Sequence, residues 1–138
     1  MTLEEWIELY NSKTPAPFVR DKRYELFYCP DKGFCEIGQS GNMIIAHQMA
    51  GDIRYWKERI EEAARASGIT IGGTWCVRKA IKAYIRLLDY EIVEDYSLSD
   101  GAHRYVCRNK KTGKEARVSP AFWFPDSHIQ AYFVTWQI

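Results

Sequence analysis

Several features that commonly reveal a protein's function are missing from this chain of 138 residues. Nineteen basic residues stand against eighteen acidic ones, so no strong overall charge favours nucleic acid or an anionic membrane as a partner. No apolar run is long enough to span a bilayer. The first residues, Met1 to Glu5, lack the basic and apolar parts of a secretory signal. We therefore expect a cytoplasmic protein that is neither inserted in a membrane nor bound to nucleic acid.

The spacings that typify metal sites and disulfide frameworks are also missing. The cysteines and histidines are scattered along the chain: Cys29, Cys35, Cys76 and Cys107, and His47, His103 and His128. Only Cys29 and Cys35 are close, and their separation suits two facing strands of a hairpin better than a zinc knuckle. We expect no bound metal, and four free thiols in a reducing compartment.

What is present favours one domain with a real core. A capping box at Thr2 to Glu5 and the apolar spacing after it predict a helix to about Tyr10. Alternation then predicts antiparallel strands at about 24–29, 34–37 and 43–48. Helical spacing covers about 52–67 and about 77–88, with a strand at about 69–75 between them and a run of strands after them. This order predicts an α+β fold, in which helices pack on a mixed, largely antiparallel sheet.

The junction between the third strand and the second helix is the first candidate site. With the strand ending at Gln48, Gly51 in a turn and a helix from Asp52, several backbone N–H groups lie at a helix N-terminus. Such an end can hold a pyrophosphate, and Arg54 in the first turn is easier to understand if an anion binds nearby. The alternative is a tight turn in which Asp52 caps the helix and the basic residues are solvated.

Gln48-x-x-Gly51-x-Ile53 resembles the Q/R-x-x-G-x-G/A motif of the GNAT superfamily of N-acetyltransferases, with Ile53 in place of the final Gly or Ala. In that family the motif binds the pyrophosphate of acetyl-CoA through backbone amides. The resemblance therefore implies acetyl-CoA as cofactor. The residues that it assigns to cofactor binding are Gln48, Met49, Ala50, Gly51, Asp52, Ile53 and Arg54.

A second segment, Ala80-x-x-x-Tyr84, resembles the family's N-x-x-A-x-x-x-Y-x-x-x-G-F pattern, with Val77 in place of Asn and Asp89-Tyr90 in place of Gly-Phe one residue late. The resemblance implies that Tyr84 protonates the departing thiolate of CoA, which a phenol within hydrogen-bond reach can do. The alternative is a core aromatic on an amphipathic helix.

His47, next to the first motif, can serve as a general base near a bound acyl group, or be a structural residue of the strand. The resemblance covers about residues 21–108. It implies one GNAT-like domain over 1–138, with 109–138 as a C-terminal extension.

Two functions follow from these patterns. The first is an acyl-CoA-dependent N-acyltransferase that acts on an unknown amine of a small molecule or a protein. The second is a non-catalytic GNAT-like module that binds a protein. Two surfaces are candidates for that binding: a basic helix stripe of Arg78, Lys82 and Arg86, and an aromatic segment of Phe122, Trp123 and Phe124. For the stripe, the alternatives are a solvated helix face and a docking surface for a nucleic-acid backbone. For the aromatics, the alternative is a plug over the core.

Overall fold

The structure, a computed structural model, describes residues 1–77 and 80–138. Contacts divide the chain into two compact units, Met1–Gly72 together with Ile138, and Gly73–Gln137. The described residues form three helices and eight strands, and the strand pairs within each unit are antiparallel. The predicted α+β class with a largely antiparallel sheet is confirmed at this level. No helix of the described residues is long and apolar enough to cross a membrane.

The first unit has the predicted order of helix, three strands and helix. Its elements are α1 (Leu3–Lys13), β1 (Glu25–Cys29), β2 (Gly33–Ser40), β3 (Met43–Gly51) and α2 (Ile53–Ala66). The capping box is confirmed, because the Thr2 hydroxyl accepts from the Glu5 backbone N–H and the Glu5 carboxylate accepts from Thr2 N–H. Helix α1 continues to Lys13, three residues beyond its predicted end.

The core of the first unit lies between α1 and the β2–β3 hairpin. Tyr10, Phe34 and Ala50 are buried there, and partly buried apolar side chains surround them. On α2, the stripe of Trp56, Ile60 and Ala64 is buried at helical spacing. Burial of such side chains stabilises the fold by roughly 1.5–3 kcal/mol each for the large ones. This packing holds β2 and β3 rigidly, and those two strands carry the site described below.

The predicted turn around Gly51 is wrong, because β3 continues three residues past Gln48. Gly51 is the strand partner of Gly33, and its φ is +107°. A Cβ atom on Gly51 would lie 2.0 Å from the Lys32 carbonyl oxygen, and one on Gly33 would lie 1.9 Å from that of Ala50. The two strands therefore approach so closely that only glycine fits, and packing accounts for Gly51 without a ligand.

The pairing of β2 with β3 contains an irregularity that the sequence pattern does not predict. Cys35 pairs with Met49, and the next recorded pair is Ile37 with Ala46. Between these pairs β2 contributes only Glu36, whereas β3 contributes both His47 and Gln48. This is a β-bulge, which bends the strand and redirects side chains. It explains how two consecutive residues can both reach the side chain of Glu36.

The second unit is built mainly from strands. Its elements are α3 (Ile81–Leu87), β5 (Tyr90–Ser97), β6 (His103–Asn109), β7 (Glu115–Phe124) and β8 (Ile129–Gln137), and β4 (Ile71–Cys76) spans the boundary between the units in the sequence. Strands β5 to β8 pair in chain order as antiparallel neighbours. Helix α3 begins at Ile81, four residues after its predicted start at about Val77, and β4 continues to Cys76. After the helix, Asp89 has a φ of +67°.

The aromatic segment is part of the sheet. Phe122, Trp123 and Phe124 belong to β7 and pair with β8, although prolines flank the segment at Pro120 and Pro125. The register shifts between Pro120 and Phe122, which is where a sheet tolerates proline.

Candidate active site around His47

A buried carboxylate forms the centre of the candidate site. The side chain of Glu36 is fully buried. Its Oε1 accepts a hydrogen bond from Gln48 Nε2 at 2.7 Å and lies 3.0 Å from His47 Nδ1. Its Oε2 accepts from Arg20 Nη1 at 2.7 Å and from the Asp21 backbone N–H at 2.9 Å. Four groups therefore surround one carboxylate, which is the condition for burying a charge without a large penalty.

These hydrogen bonds determine the ionisation of Glu36. Burial raises the pKa of Glu36, but the bonds from Gln48, the Asp21 backbone, His47 and Arg20 lower it by more, so that its pKa lies below the usual 4.5. At neutral pH the group is therefore a carboxylate, which can only accept hydrogen bonds. It follows that Nδ1 of His47 is the donor in their contact, and that the neutral ring carries its lone pair on Nε2.

The His47 ring is held on one face and stays partly exposed. The ring of Tyr24 stacks on it with a centroid distance of 4.7 Å and an interplanar angle of 15°. The side chain of His47 is 29% exposed, so a substrate can reach it. Asp21 Oδ2 lies 4.0 Å from Nδ1. Hydrogen bonds from the side chain and backbone of Arg23 lower the pKa of Asp21 to about 2. The imidazole of His47 therefore has two carboxylates beside it, those of Glu36 and Asp21.

The helix end predicted to hold pyrophosphate already holds a carboxylate of the chain. Asp52 is the N-cap of α2, and its Oδ1 accepts from the backbone N–H groups of Arg54 and Tyr55, each at 3.1 Å. The Asp52 N–H donates to the Lys32 carbonyl at 2.9 Å, and Lys32 Nζ lies 3.3 Å from Asp52 Oδ2. The backbone hydrogen bond from Tyr55 is the main reason why the pKa of Asp52 is lowered. A bound anion would compete with this carboxylate.

The other residues assigned to cofactor binding lie along β3 and the start of α2. Gln48 is buried, Met49 pairs with Cys35, and Ala50 belongs to the core under α1. Ile53 is partly exposed and Arg54 is exposed in the first turn of α2. The stretch is thus mostly strand, and its side chains have structural roles at the positions where a loop was predicted.

Tyr84 and the two predicted docking surfaces belong to the second unit. Tyr84 lies in α3 and is partly buried. On the basic stripe, Lys82 and Arg86 are exposed, and Arg78 lies outside the described residues. Lys82 Nζ sits 5.7 Å from the ring centroid of Tyr105. The described part of the stripe is therefore exposed, and Lys82 makes a cation–π contact.

The aromatic segment at the end of the β7–β8 hairpin is accessible. Phe122 and Trp123 are 47% and 52% exposed, and the rings of Phe122 and Phe124 are 5.0 Å apart. This surface is apolar and open, which is a feature of protein-binding patches.

The described residues offer no cluster of metal ligands, and the two buried thiols are poor nucleophiles. No group of His, Cys, Asp and Glu side chains among them is arranged to hold a metal ion. The four cysteines form no disulfide. Burial raises the pKa of the Cys35 and Cys107 thiols, so neither is a ready nucleophile.

Sequence reasoning identified His47 but missed the groups that support it: Glu36, Arg20, Asp21 and Tyr24. One signal was present, since Glu36 interrupts the apolar run from Phe34 to Ile37 on a predicted strand. A charged residue at such a position must find partners if it is buried.

No family model matches this chain, and no curated protein matches it significantly. The function is therefore inferred from the chemistry of the site.

Proposed function

We propose that the chain is an acyl-CoA-dependent N-acyltransferase in which His47 acts as the general base. The observation that carries this proposal is the 3.0 Å contact between His47 Nδ1 and the buried carboxylate of Glu36. Because Glu36 holds the proton on Nδ1, the lone pair of Nε2 is the group that removes a proton from an acceptor amine. A carboxylate behind a histidine also fixes the ring and stabilises the imidazolium that forms.

The resemblance supplies the identity of the acyl donor. Acetyl-CoA provides an acyl group activated as a thioester. On the chain, Lys32 and Arg54 give the start of α2 positive charge, and a phosphate bound there would displace the Asp52 carboxylate from the N–H groups of Arg54 and Tyr55. His47 takes the proton that the acceptor nitrogen loses. The departing sulfur takes up a proton, and the resemblance alone assigns that proton to Tyr84.

The proposal is tested by binding and turnover of the purified chain. We expect calorimetry to detect acetyl-CoA binding, and a panel of amines to yield at least one acceptor that releases CoA thiol. No heat with millimolar ligand and no thiol release from any amine would overturn the proposal.

Two substitutions then assign the roles. We expect His47→Gln to lower turnover by roughly a hundred- to ten-thousand-fold, the range for loss of a positioned base. The matched control is His103→Gln, which changes a histidine of similar contacts in the second unit and should keep wild-type turnover. Tyr84→Phe should lower turnover by about ten- to ten-thousand-fold with acetyl-CoA affinity nearly unchanged. Wild-type turnover in either variant would remove that residue from the mechanism.

The second candidate function is a non-catalytic protein-binding module. The observations that favour it are the exposed rings of Phe122 and Trp123, and the Asp52 carboxylate at the helix end assigned to phosphate. In that case acetyl-CoA would not bind, and Phe122→Ser with Trp123→Ser would remove partner binding. An enzyme that does not use the hairpin would keep its turnover in the same double variant.

A further inference from the structure

We infer that Gln48 is a positioning residue that holds Glu36 against His47, and is not a contact of the acyl-CoA phosphates. The inference deepens the proposed function and rests on it for the role of His47. Its basis is the set of hydrogen bonds made by the Gln48 carboxamide. Nε2 donates to Glu36 Oε1 at 2.7 Å and to the Val19 carbonyl at 2.6 Å, and Oε1 accepts from Val19 N–H at 3.2 Å.

These bonds leave the carboxamide no donor for a phosphate. A glutamine side chain has two N–H hydrogens, and both are used inside the chain. Gln48 is also only 9% exposed. A phosphate contact would require breaking either the bond to the Val19 carbonyl or the bond to the ionised Glu36 carboxylate, and the latter is among the stronger hydrogen bonds in a protein.

The oxygen that Gln48 binds is the one that faces His47. Oε1 of Glu36 receives Gln48 Nε2 and His47 Nδ1, whereas Oε2 receives Arg20 and the Asp21 backbone. Loss of the Gln48 bond would let the carboxylate rotate towards Arg20. Nδ1 of His47 would then lose its acceptor, and the imidazole would no longer be restricted to the tautomer with its lone pair on Nε2.

Gln48 also fixes the segment that brings the remaining donors. It binds both the N–H and the carbonyl of Val19, as a neighbouring strand would. The next two residues are Arg20 and Asp21, which donate to Oε2 of Glu36. The bulge in β3 makes this possible, because it places His47 and Gln48 together opposite Glu36. The Gln48 side chain thus positions the groups that bind both oxygens of the Glu36 carboxylate.

The test compares Gln48→Leu with the control Gln39→Leu, which removes an exposed glutamine of the same hairpin. Nitrogen-15 NMR of the His47 ring reports which nitrogen carries the proton. We expect the Nδ1–H form in the wild type and in the control, and a mixture of tautomers in Gln48→Leu. Turnover should fall by about tenfold or more in Gln48→Leu, with the dissociation constant of acetyl-CoA unchanged within about twofold.

A second variant covers the case in which Gln48→Leu does not fold. Gln48→Met keeps the length of the side chain and is apolar, and its thioether has no hydrogen to donate to Glu36. We expect the same mixture of tautomers. An unchanged His47 tautomer in the folded variants would overturn the inference, as would a tenfold or greater loss of acetyl-CoA affinity with the wild-type tautomer. If the wild type neither binds acetyl-CoA nor turns over, the proposed function fails, and the tautomer comparison still decides the role of Gln48.

Discussion

Among the described residues, two histidine–carboxylate pairs have similar short distances. In the first unit, His47 Nδ1 lies 3.0 Å from Glu36 Oε1. In the second unit, His103 Nδ1 lies 2.7 Å from Asp95 Oδ1. By distance alone, the second pair would have the stronger hydrogen bond. The surroundings of the pairs reverse that order, because the energy that a charged hydrogen bond contributes depends on the solvent around it.

Exposure is the first difference between the pairs. The side chains of His103 and Asp95 are 42% and 43% exposed, whereas the carboxylate of Glu36 has no contact with solvent. Water therefore screens the pair of the second unit, and its partners can separate at little cost. The carboxylate of Glu36 must keep its donors, because nothing else would compensate its charge. A histidine held by a buried carboxylate is thus fixed in position, as a catalytic base must be.

The aromatic neighbours of the two histidines also differ, and the closer ring is the one beside His47. Tyr24 stacks on His47 at 4.7 Å, whereas the ring of Tyr105 lies 6.1 Å from that of His103. In addition, the Tyr24 carbonyl accepts from Arg20 Nη2, so Tyr24 is tied to the group that binds Glu36. The pair of the second unit is a cross-strand contact of the β5–β6 hairpin, whose strands pair from Tyr90–Asn109 to Ser97–His103.

The largest effect expected from this comparison is on stability. Glu36→Gln should lower the free energy of unfolding by about 2–4 kcal/mol, because the new amide group faces donors and leaves Arg20 without its partner. Asp95→Asn should change it by less than about 0.5 kcal/mol. Urea denaturation of the two variants beside the wild type measures both. Equal losses would show that burial does not distinguish the pairs.

Sequence patterns predicted the elements of the first unit better than its site. Spacing of apolar residues located α1, α2 and the three strands, because each element buries one stripe or face. The same patterns do not specify register, and the site depends on register. The bulge opposite Glu36 comes from one extra residue in β3. The strand propensities of the residues do not predict where such an extra residue lies.

The structural role of Gly51 likewise could not be predicted from the sequence pattern. From the sequence, a glycine between a strand and a helix is equally suited to a phosphate loop and to close packing. The structure places Gly51 against the backbone of Lys32 and Gly33, which are eighteen or more positions away in the chain. A contact of that kind becomes visible only once the strands are paired. His47 was found because its chemistry is evident from its identity alone, whereas Glu36 is recognised by what surrounds it.

The second prediction uses the pH dependence of stability to distinguish the contributions of Glu36 and Asp21. The pKa of Glu36 is lowered on folding, so its contribution to stability is fully present above the usual 4.5 and is lost as the pH falls through the lower value of the folded state. The pKa of Asp21 falls from 3.8 to about 2, so its contribution is lost over that interval. We expect wild-type stability to decrease below about pH 4.5 more steeply than that of Glu36→Gln.

The measurement is the urea midpoint at a series of pH values. Asp21→Asn serves as the matched variant, because it should flatten only the lower part of the curve, between 3.8 and about 2. Curves for the wild type and Glu36→Gln that stay parallel through pH 4.5 would show that Glu36 is not held in its charged form.

The smallest effect concerns the exposed pair itself. A double-mutant cycle with His103→Ala and Asp95→Ala isolates the coupling between the two side chains. Because both are more than two-fifths exposed, we expect a coupling of about 0.2–1 kcal/mol at low ionic strength. At about 1 M salt the Debye length falls to roughly 3 Å, so any ionic part of this coupling should diminish. The corresponding cycle with His47→Ala and Glu36→Ala should give a larger coupling that changes less with salt, because its carboxylate is shielded from solvent ions. A coupling of His103 to Asp95 as large and as salt-resistant as that of His47 to Glu36 would mean that exposure is not what separates them, and the second pair would then have an equal claim to be a catalytic site.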